Sequence, residues 1–153
     1  MFPKGLIVRT ADISEQEFSI VEVPELYGDD IELSDLKVGS AMNYNILLAE
    51  RLLIMSIRHQ VNYAAHGTIM RAEVRLTYKI ENLDEFILTK QPDSQLATVE
   101  TGFLLAFTQV SLSAARGFIA ARTMPYALNR FPMPFVDATQ ITIEAIERQQ
   151  KEG

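Results

Sequence analysis

The residues able to do covalent or metal chemistry are few, and their spacing does not gather them. The chain has no cysteine, which removes disulfides, thiol catalysis, zinc fingers and iron–sulfur ligation together. Its two histidines, His59 and His66, fall on the apolar face of a strand pattern and in a turn pattern. No acidic cluster joins them, so a core histidine and a turn residue describe them better than a metal pair. Ser113, Arg116 and Gly117 lie in a helical pattern, not on the strand-to-helix bend of a nucleophile elbow. No phosphate-cradling glycine loop, G-x-S-x-G or H-E-x-x-H motif occurs. Nine carboxylates (Asp12, Glu15, Glu17, Glu22, Glu25, Asp29, Asp30, Glu32, Asp35) follow one another with no Lys or Arg between them. They are too many and too loop-bound to single out an acid–base couple. They read either as an acidic docking surface or as a solvated, loop-rich edge. The sequence predicts no enzyme, no metal site and no cofactor.

What remains is the chemistry of binding. Met124–Phe135 carries Tyr126, Leu128, Phe131, Met133 and Phe135, with Pro132 and Pro134 on either side of Met133. Proline fixes an extended backbone and removes a donor, so such a segment presents side chains instead of pairing into a sheet. It reads as one wall of an apolar groove for extended peptide, or as a linker pinned to the core by its aromatics.

The elements that must position this segment are legible by period. Thr68, Met70, Ala72, Val74, Leu76, Tyr78 and Ile80 alternate with Ile69, Arg71, Glu73, Arg75, Thr77, Lys79 and Glu81, a strand with one solvated face in an antiparallel sheet. Leu53, Met55, Ile57, His59, Val61 and Tyr63 form the apolar parity of the strand before it, and Ala64–Gly67 is the hairpin connection. Gly5–Ile13 and Glu17–Val23 read as two short strands or one strand across a bend. Pro24–Gly39 reads as a loop or crossover with at most a short strand near Ile31–Leu33. From Leu96 to Thr123 the pattern is helical, with Asp93 or Ser94 as the cap. One stripe runs through Phe103, Phe107, Val110, Ala114, Phe118 and Ala121, and a second apolar line contains Leu105, Leu112 and Ile119. A helix apolar on two sides is buried on two sides. The chain's own sheet supplies one cover and a second copy of the chain is expected to supply the other. Asp137 or Thr139 starts a last amphipathic helix with Ile141, Ala145 and Ile146 inward.

At 153 residues and a net charge of −6, a single domain spanning 1–153 is expected, and the charge argues against non-specific nucleic-acid binding. The N-terminus lacks the pattern of a signal peptide. Glu100, Arg116 and Arg122 interrupt the long helical run, which argues against membrane insertion. A cytoplasmic protein is the expectation.

The order of elements carries a further signal. Ser113-Ala-Ala-Arg-Gly-Phe-Ile-Ala-Ala-Arg-Thr-Met124, followed by Phe131-Pro-Met-Pro-Phe-Val136, resembles the C-terminal half of SecB and SecB-like chaperones, and the hairpin Leu47–Glu81 is similar to that family's central strands. The resemblance implies an α+β fold: a four-stranded antiparallel sheet covered on one face by a long helix plus a short C-terminal helix. It implies a dimer of dimers built on the long helices, with Phe103, Phe107, Val110, Leu112, Ala114, Phe118 and Ala121 at the interface. It implies an ATP-independent holdase that binds unfolded client polypeptides, in protein export or in another setting. The peptide-binding residues would be Tyr126, Leu128, Phe131, Met133 and Phe135, with Tyr27, Met42 and Tyr44 from the crossover segment. In SecB, acidic positions on the exposed sheet face dock the export ATPase SecA. Here that face mixes Arg71, Arg75 and Lys79 with Glu73 and Glu81, a departure that puts such docking in doubt and leaves an antitoxin client open. A small-ligand-binding α+β protein using the crossover cleft, or a purely structural homo-oligomer, are the competing readings.

Overall fold

The computed structural model describes residues 2–29, 31–64, 66–90, 97–131 and 136–152. Four antiparallel strands, Val8–Ile20 (β1), Leu36–Leu47 (β2), Leu52–Tyr63 (β3) and Gly67–Ile80 (β4), form one sheet in the order β1-β4-β3-β2. Ile87–Lys90 (β5) and Ala97–Val99 (β6) pair as a separate small ribbon. Two helices follow, Thr101–Thr123 (α1) and Ala138–Glu152 (α2). The α+β class and the one-sided cover expected from the sequence are what the chain forms.

The hairpin of β3 and β4 follows the period-2 pattern from Leu53 to Val61 and from Met70 to Ile80. Leu53, Met55, Ile57, His59 and Val61 are buried on β3, and Met70, Ala72, Val74, Leu76, Tyr78 and Ile80 on β4, while Arg71 and Arg75 face solvent. Gly67 closes the turn with φ of 69°, a left-handed angle that glycine adopts without a Cβ penalty. Ile69 is buried although its parity points outward, because the register shifts between Val61 and Asn62 and leaves Ile69 without a partner on β3.

β1 is one strand, not two. Its register slips between Glu15 and Glu17, and at that bulge the core-facing parity changes from Ile13 and Glu15 (opposite Leu76 and Val74) to Phe18 and Ile20 (opposite Ala72 and Met70). The broken alternation that reads as two strands in sequence is this bulge. The crossover also differs from its expectation. It holds short 3-10 turns at Pro24–Tyr27 and Leu33–Asp35, and β2 begins at once, at Leu36. The strand expected near Ile31–Leu33 is absent from that place, because the free sheet edge that can pair is the edge of β3, reached only at Leu36 opposite Tyr63.

The first residues expected in the long helix pair instead as β6, where β-branched Thr98 and Val99 join β5, so α1 starts at Thr101 with Glu100 at the cap position. The proposed caps Asp93 and Ser94, and Leu96, lie outside the described residues. The buried face of α1 is Phe103, Leu104, Ala106, Phe107, Thr108, Ser111, Leu112, Ala115, Ile119 and Thr123. It merges parts of both expected stripes. Phe103, Phe107 and Leu112 are enclosed by their own chain, whereas Val110 and Ala121 are exposed and Ala114 and Phe118 are half-buried. By length and composition α1 could cross a membrane, and half of its apolar window is covered by the chain itself.

Buried hydroxyls tie the layers. Tyr78 Oη lies 2.8 Å from Ser111 Oγ, and Thr142 Oγ1 lies 3.0 Å from Thr108 Oγ1, linking sheet to α1 and α1 to α2. α2 is held from two directions. Arg148 donates to the Met42 carbonyl (3.0 Å) and to Asn43 Oδ1 (3.1 Å), and Gln149 donates to the Tyr44 carbonyl, so α2 covers part of the free edge of β2. Its N-terminus is capped by Asp137, whose Oδ1 accepts from the backbone N–H groups of Thr139 (3.0 Å) and Gln140 (3.1 Å). Asp137→Ala is expected to cost about 1 kcal/mol of stability, read as a shift of the urea midpoint at constant m-value; an unchanged midpoint would remove the cap from the account.

Candidate functional site

The buried residues divide into two clusters. The larger lies under α1 and α2 and contains Met42, Leu53, Met55, Ile57, Leu76, Tyr78, Phe103 and Phe107. The smaller lies at the hairpin end of the sheet. It joins Val23 and Leu26 of the crossover to Val61, Ile69, Met70 and Ala72 of the sheet, Ile119 of α1, and Ala127 and Leu128 beyond it, with Phe131 packed against them.

The site at that second cluster is built by the segment after α1. Pro125 ends the helix by excluding a further N–H, and a short 3-10 turn, Ala127–Arg130, folds back under its C-terminus. Asn129 Nδ2 holds this return by donating to the Ala120 carbonyl (3.0 Å) and to Thr123 Oγ1 (3.1 Å), which satisfies helix-end acceptors. Arg130 donates to the Leu26 carbonyl (2.8 Å), and the Ala127 N–H donates to Glu22 Oε1 (3.2 Å). The crossover and the post-helix turn are thus fastened to each other. On the other flank of α1, Arg122 pairs with Glu15 (2.8 Å) and stacks 4.4 Å over the Phe18 ring. Several of the nine carboxylates therefore bind their own chain.

Between α1, the turn and β4 lies an open cleft of about 300 Å³ lined by Met70, Ile119, Leu128 and Phe131, with Arg116, Thr123 and Asn129 at its polar margin. Gly117 and Ala120 keep its α1 wall low. A second cleft, of about 360 Å³, shares Arg116 and runs between Leu112 and the start of α2 at Val136–Thr139. A third, of about 260 Å³, shares Val136 and Asp137 with the second and reaches β2 at Val38 and Ser40. The three follow one another from the end of α1 to the edge of the sheet. The first is lined mainly by apolar side chains, whereas the second and third mix apolar side chains with polar ones such as Gln109, Ser113 and Gln140.

His59 lies beneath this track. It is 2% exposed, its Nδ1 is 2.6 Å from Ser40 Oγ, and its Nε2 has no partner among the described residues. Burial, and then the positive charge of Arg116, hold its pKa down at about 4, so the ring is neutral at pH 7. His66 is elsewhere, stacked on Tyr63 and 3.5 Å from Glu25.

The residues expected to form a peptide groove are not all brought together. Leu128 and Phe131 meet in the first cleft, and Tyr126 is half-buried at the start of the same turn. Tyr27 ends the crossover turn, 55% exposed and next to the buried Leu26. Met42 and Tyr44 are not crossover residues. Both lie on β2 below α2, in or against the other cluster, and Met42 has no exposed surface. It can offer nothing to a ligand of this form of the chain, and its place is core. Burial raises the pKa of Tyr44. Met133 and Phe135 lie outside the described residues. Met70, Ile119, Arg116 and Asn129 line the cleft without having been singled out, because the sequence marks the first two only as core positions of a strand and a helix. Their meeting at one cleft depends on where the post-helix turn lands.

No protein-family model matches the chain, and no curated protein matches its sequence. Among solved structures, the chain is similar to the SecB-like chaperone Rv1957 of Mycobacterium tuberculosis, solved in complex with a ChAD peptide from the Rv1956 HigA1 antitoxin. The TM-score is 0.49 and the identity 11%, over 86% of this chain and 91% of that one.

Proposed function

We propose that this chain is an ATP-independent chaperone that holds non-native polypeptide, with the cleft of Met70, Ile119, Leu128 and Phe131 as the anchor for an apolar client side chain. The observation that carries the reading is this cleft, continued by two others toward the sheet edge. An open, shallow track that begins in a mostly apolar cleft and continues through mixed ones suits many sequences, because its anchor contact is dispersion and burial. An enclosed pocket with converging polar groups would instead have favoured a small ligand, and none of the three clefts has that form. Clients include any extended segment that exposes apolar residues, an antitoxin tail among them. The charges on the outer sheet face are mixed, with Arg58 paired to Glu73 at 3.3 Å and Arg71 and Arg75 exposed, so an acidic platform for an export ATPase is not part of the proposal.

Self-association belongs to the same reading. Val110 and Ala121 of α1 are exposed, with Ala114 and Phe118 half-open, and β1, which Arg122 of α1 reaches at Glu15, leaves Val8, Ala11 and Ile13 exposed. A second copy is the proposed cover, with Phe103, Phe107 and Leu112 supporting the surface from below. The test pairs two measurements: mass by light scattering, and suppression of aggregation of a chemically unfolded client. The expected mass exceeds that of one chain. Phe131→Asp is expected to weaken client binding by about tenfold, the worth of one lost apolar anchor of about 1.4 kcal/mol, with mass and circular dichroism unchanged. A chain that stays monomeric and protects no client ends the proposal.

A further inference from the structure

The third cleft contains one feature that apolar binding does not explain. Ser40 stands half-buried in its wall, among Val38, Val136 and Ile141, and its oxygen is 2.6 Å from Nδ1 of the buried His59. Two arrangements satisfy that distance. Either Ser40 donates to a bare Nδ1 and the ring proton sits on Nε2, or Nδ1–H donates to Ser40 and Nε2 is bare. Nε2 is buried and has no partner among the described residues. A buried N–H left without an acceptor costs more than a lone pair left without a donor, and orphaned N–H groups are accordingly the rarer of the two in folded proteins. This consideration places the proton on Nδ1. Ser40 then accepts from His59, and its own hydroxyl proton must point elsewhere. The hydroxyl's only hydrogen bond among the described residues is the one to His59.

We propose that Ser40 is a hydrogen-bond donor aimed into the cleft between β2 and α2 and held there by His59, and that its acceptor is a main-chain carbonyl of an extended polypeptide. The inference rests on the chaperone reading above and adds to it a sequence-independent contact. The chemistry of the acceptor follows from the rim. Asp137 and Glu144 line the same cleft, and their negative charge disfavours a carboxylate or phosphate. A neutral carbonyl suits the site, and every residue of every client carries one. An apolar anchor in the first cleft and a backbone contact in the third would hold a chain along the track without reading its sequence. His59 is the positioning residue and touches no ligand.

Two measurements on the full chain test this. The imidazole nitrogens of His59, observed by long-range proton–nitrogen correlation at neutral pH, are expected to show the Nδ1-protonated tautomer; the Nε2-protonated tautomer overturns the proposal. Binding of a fluorescent ten-residue peptide of leucine, phenylalanine and alanine is then compared among variants. Ser40→Ala is expected to weaken it by about 3- to 10-fold, the worth of one net hydrogen bond, and Ser40→Thr, which keeps the hydroxyl, to remain within about twofold of the parent. If the unmodified chain binds the peptide and Ser40→Ala binds it equally well, this inference falls and the chaperone reading stands. If the unmodified chain binds no peptide, both fall.

Discussion

Phe107→Ala lowers the free energy of unfolding by about 3–5 kcal/mol, the cost of deleting a fully enclosed aromatic ring that its surroundings cannot refill. The ring has no exposed surface. It stands 5.1 Å from Phe103, 4.8 Å from Tyr78 and 5.0 Å from Phe2, the last pair edge to face. Tyr78 is also the residue whose hydroxyl meets Ser111 of α1. Phe107 therefore joins the N-terminal segment, the central strand β4 and the helix at one point, and three neighbours would have to move to close the cavity. Against a total stability of about 5–15 kcal/mol for a domain, such a loss decides whether the chain is folded at 37 °C. Urea unfolding followed by circular dichroism reads it directly. A change below about 1 kcal/mol would mean that the aromatic group repacks, and the account of a single rigid aromatic core under α1 would be wrong.

Acidification destabilises the chain through His59, by about 3 kcal/mol between pH 6.5 and pH 4. Its pKa is about 4 in the folded state, where burial and then Arg116 oppose the charge, and 6.5 as a model value for the unfolded chain. Between those values the unfolded state binds a proton that the folded state does not. Stability therefore rises with pH. The contribution is intact above pH 6.5, falls away as the pH drops toward 4, and changes little below that. The 2.5-unit gap, at 1.36 kcal/mol per unit, gives the magnitude. His59→Gln keeps a polar partner for Ser40 and does not titrate, so the stability of the variant should lose this slope while retaining whatever the carboxylates contribute at lower pH. Parallel pH profiles for the two proteins would show that the ring is solvated in a way its 2% exposure does not suggest.

Much of the fold was readable because periodicity is a local property. The alternation from Thr68 to Glu81 specifies one buried and one solvated face of a strand wherever that strand is placed, and β4 keeps it from Met70 to Ile80. Asp137 is legible as a cap for the same reason, since its oxygen reaches N–H groups only two and three residues away. The bulge in β1 is visible too, as a break in alternation, but a break does not say whether a strand bends or ends. Only pairing with β4 resolves it. Residues 97–99 follow the same logic. Their types tolerate a helix, and the presence of β5 beside them makes them a strand.

The candidate site was legible in its parts and not in its assembly. The sequence by itself determined that a long apolar helix ends at a proline and that an aromatic-bearing segment follows. Tertiary structure alone decided which of those residues share a surface. Leu128 and Phe131 meet Met70 and Ile119 because Asn129 and Arg130 fasten the turn beneath α1 and against the crossover. Met42 is excluded from any surface because β2 starts at Leu36 and α2 closes over it. Ser40 and His59, nineteen positions apart in a chain that gives no hint of their pairing, become neighbours through the register of β2 on β3. Spacing along a chain fixes what a segment can become, whereas contacts between segments depend on a register that only the packed sheet and its helices define.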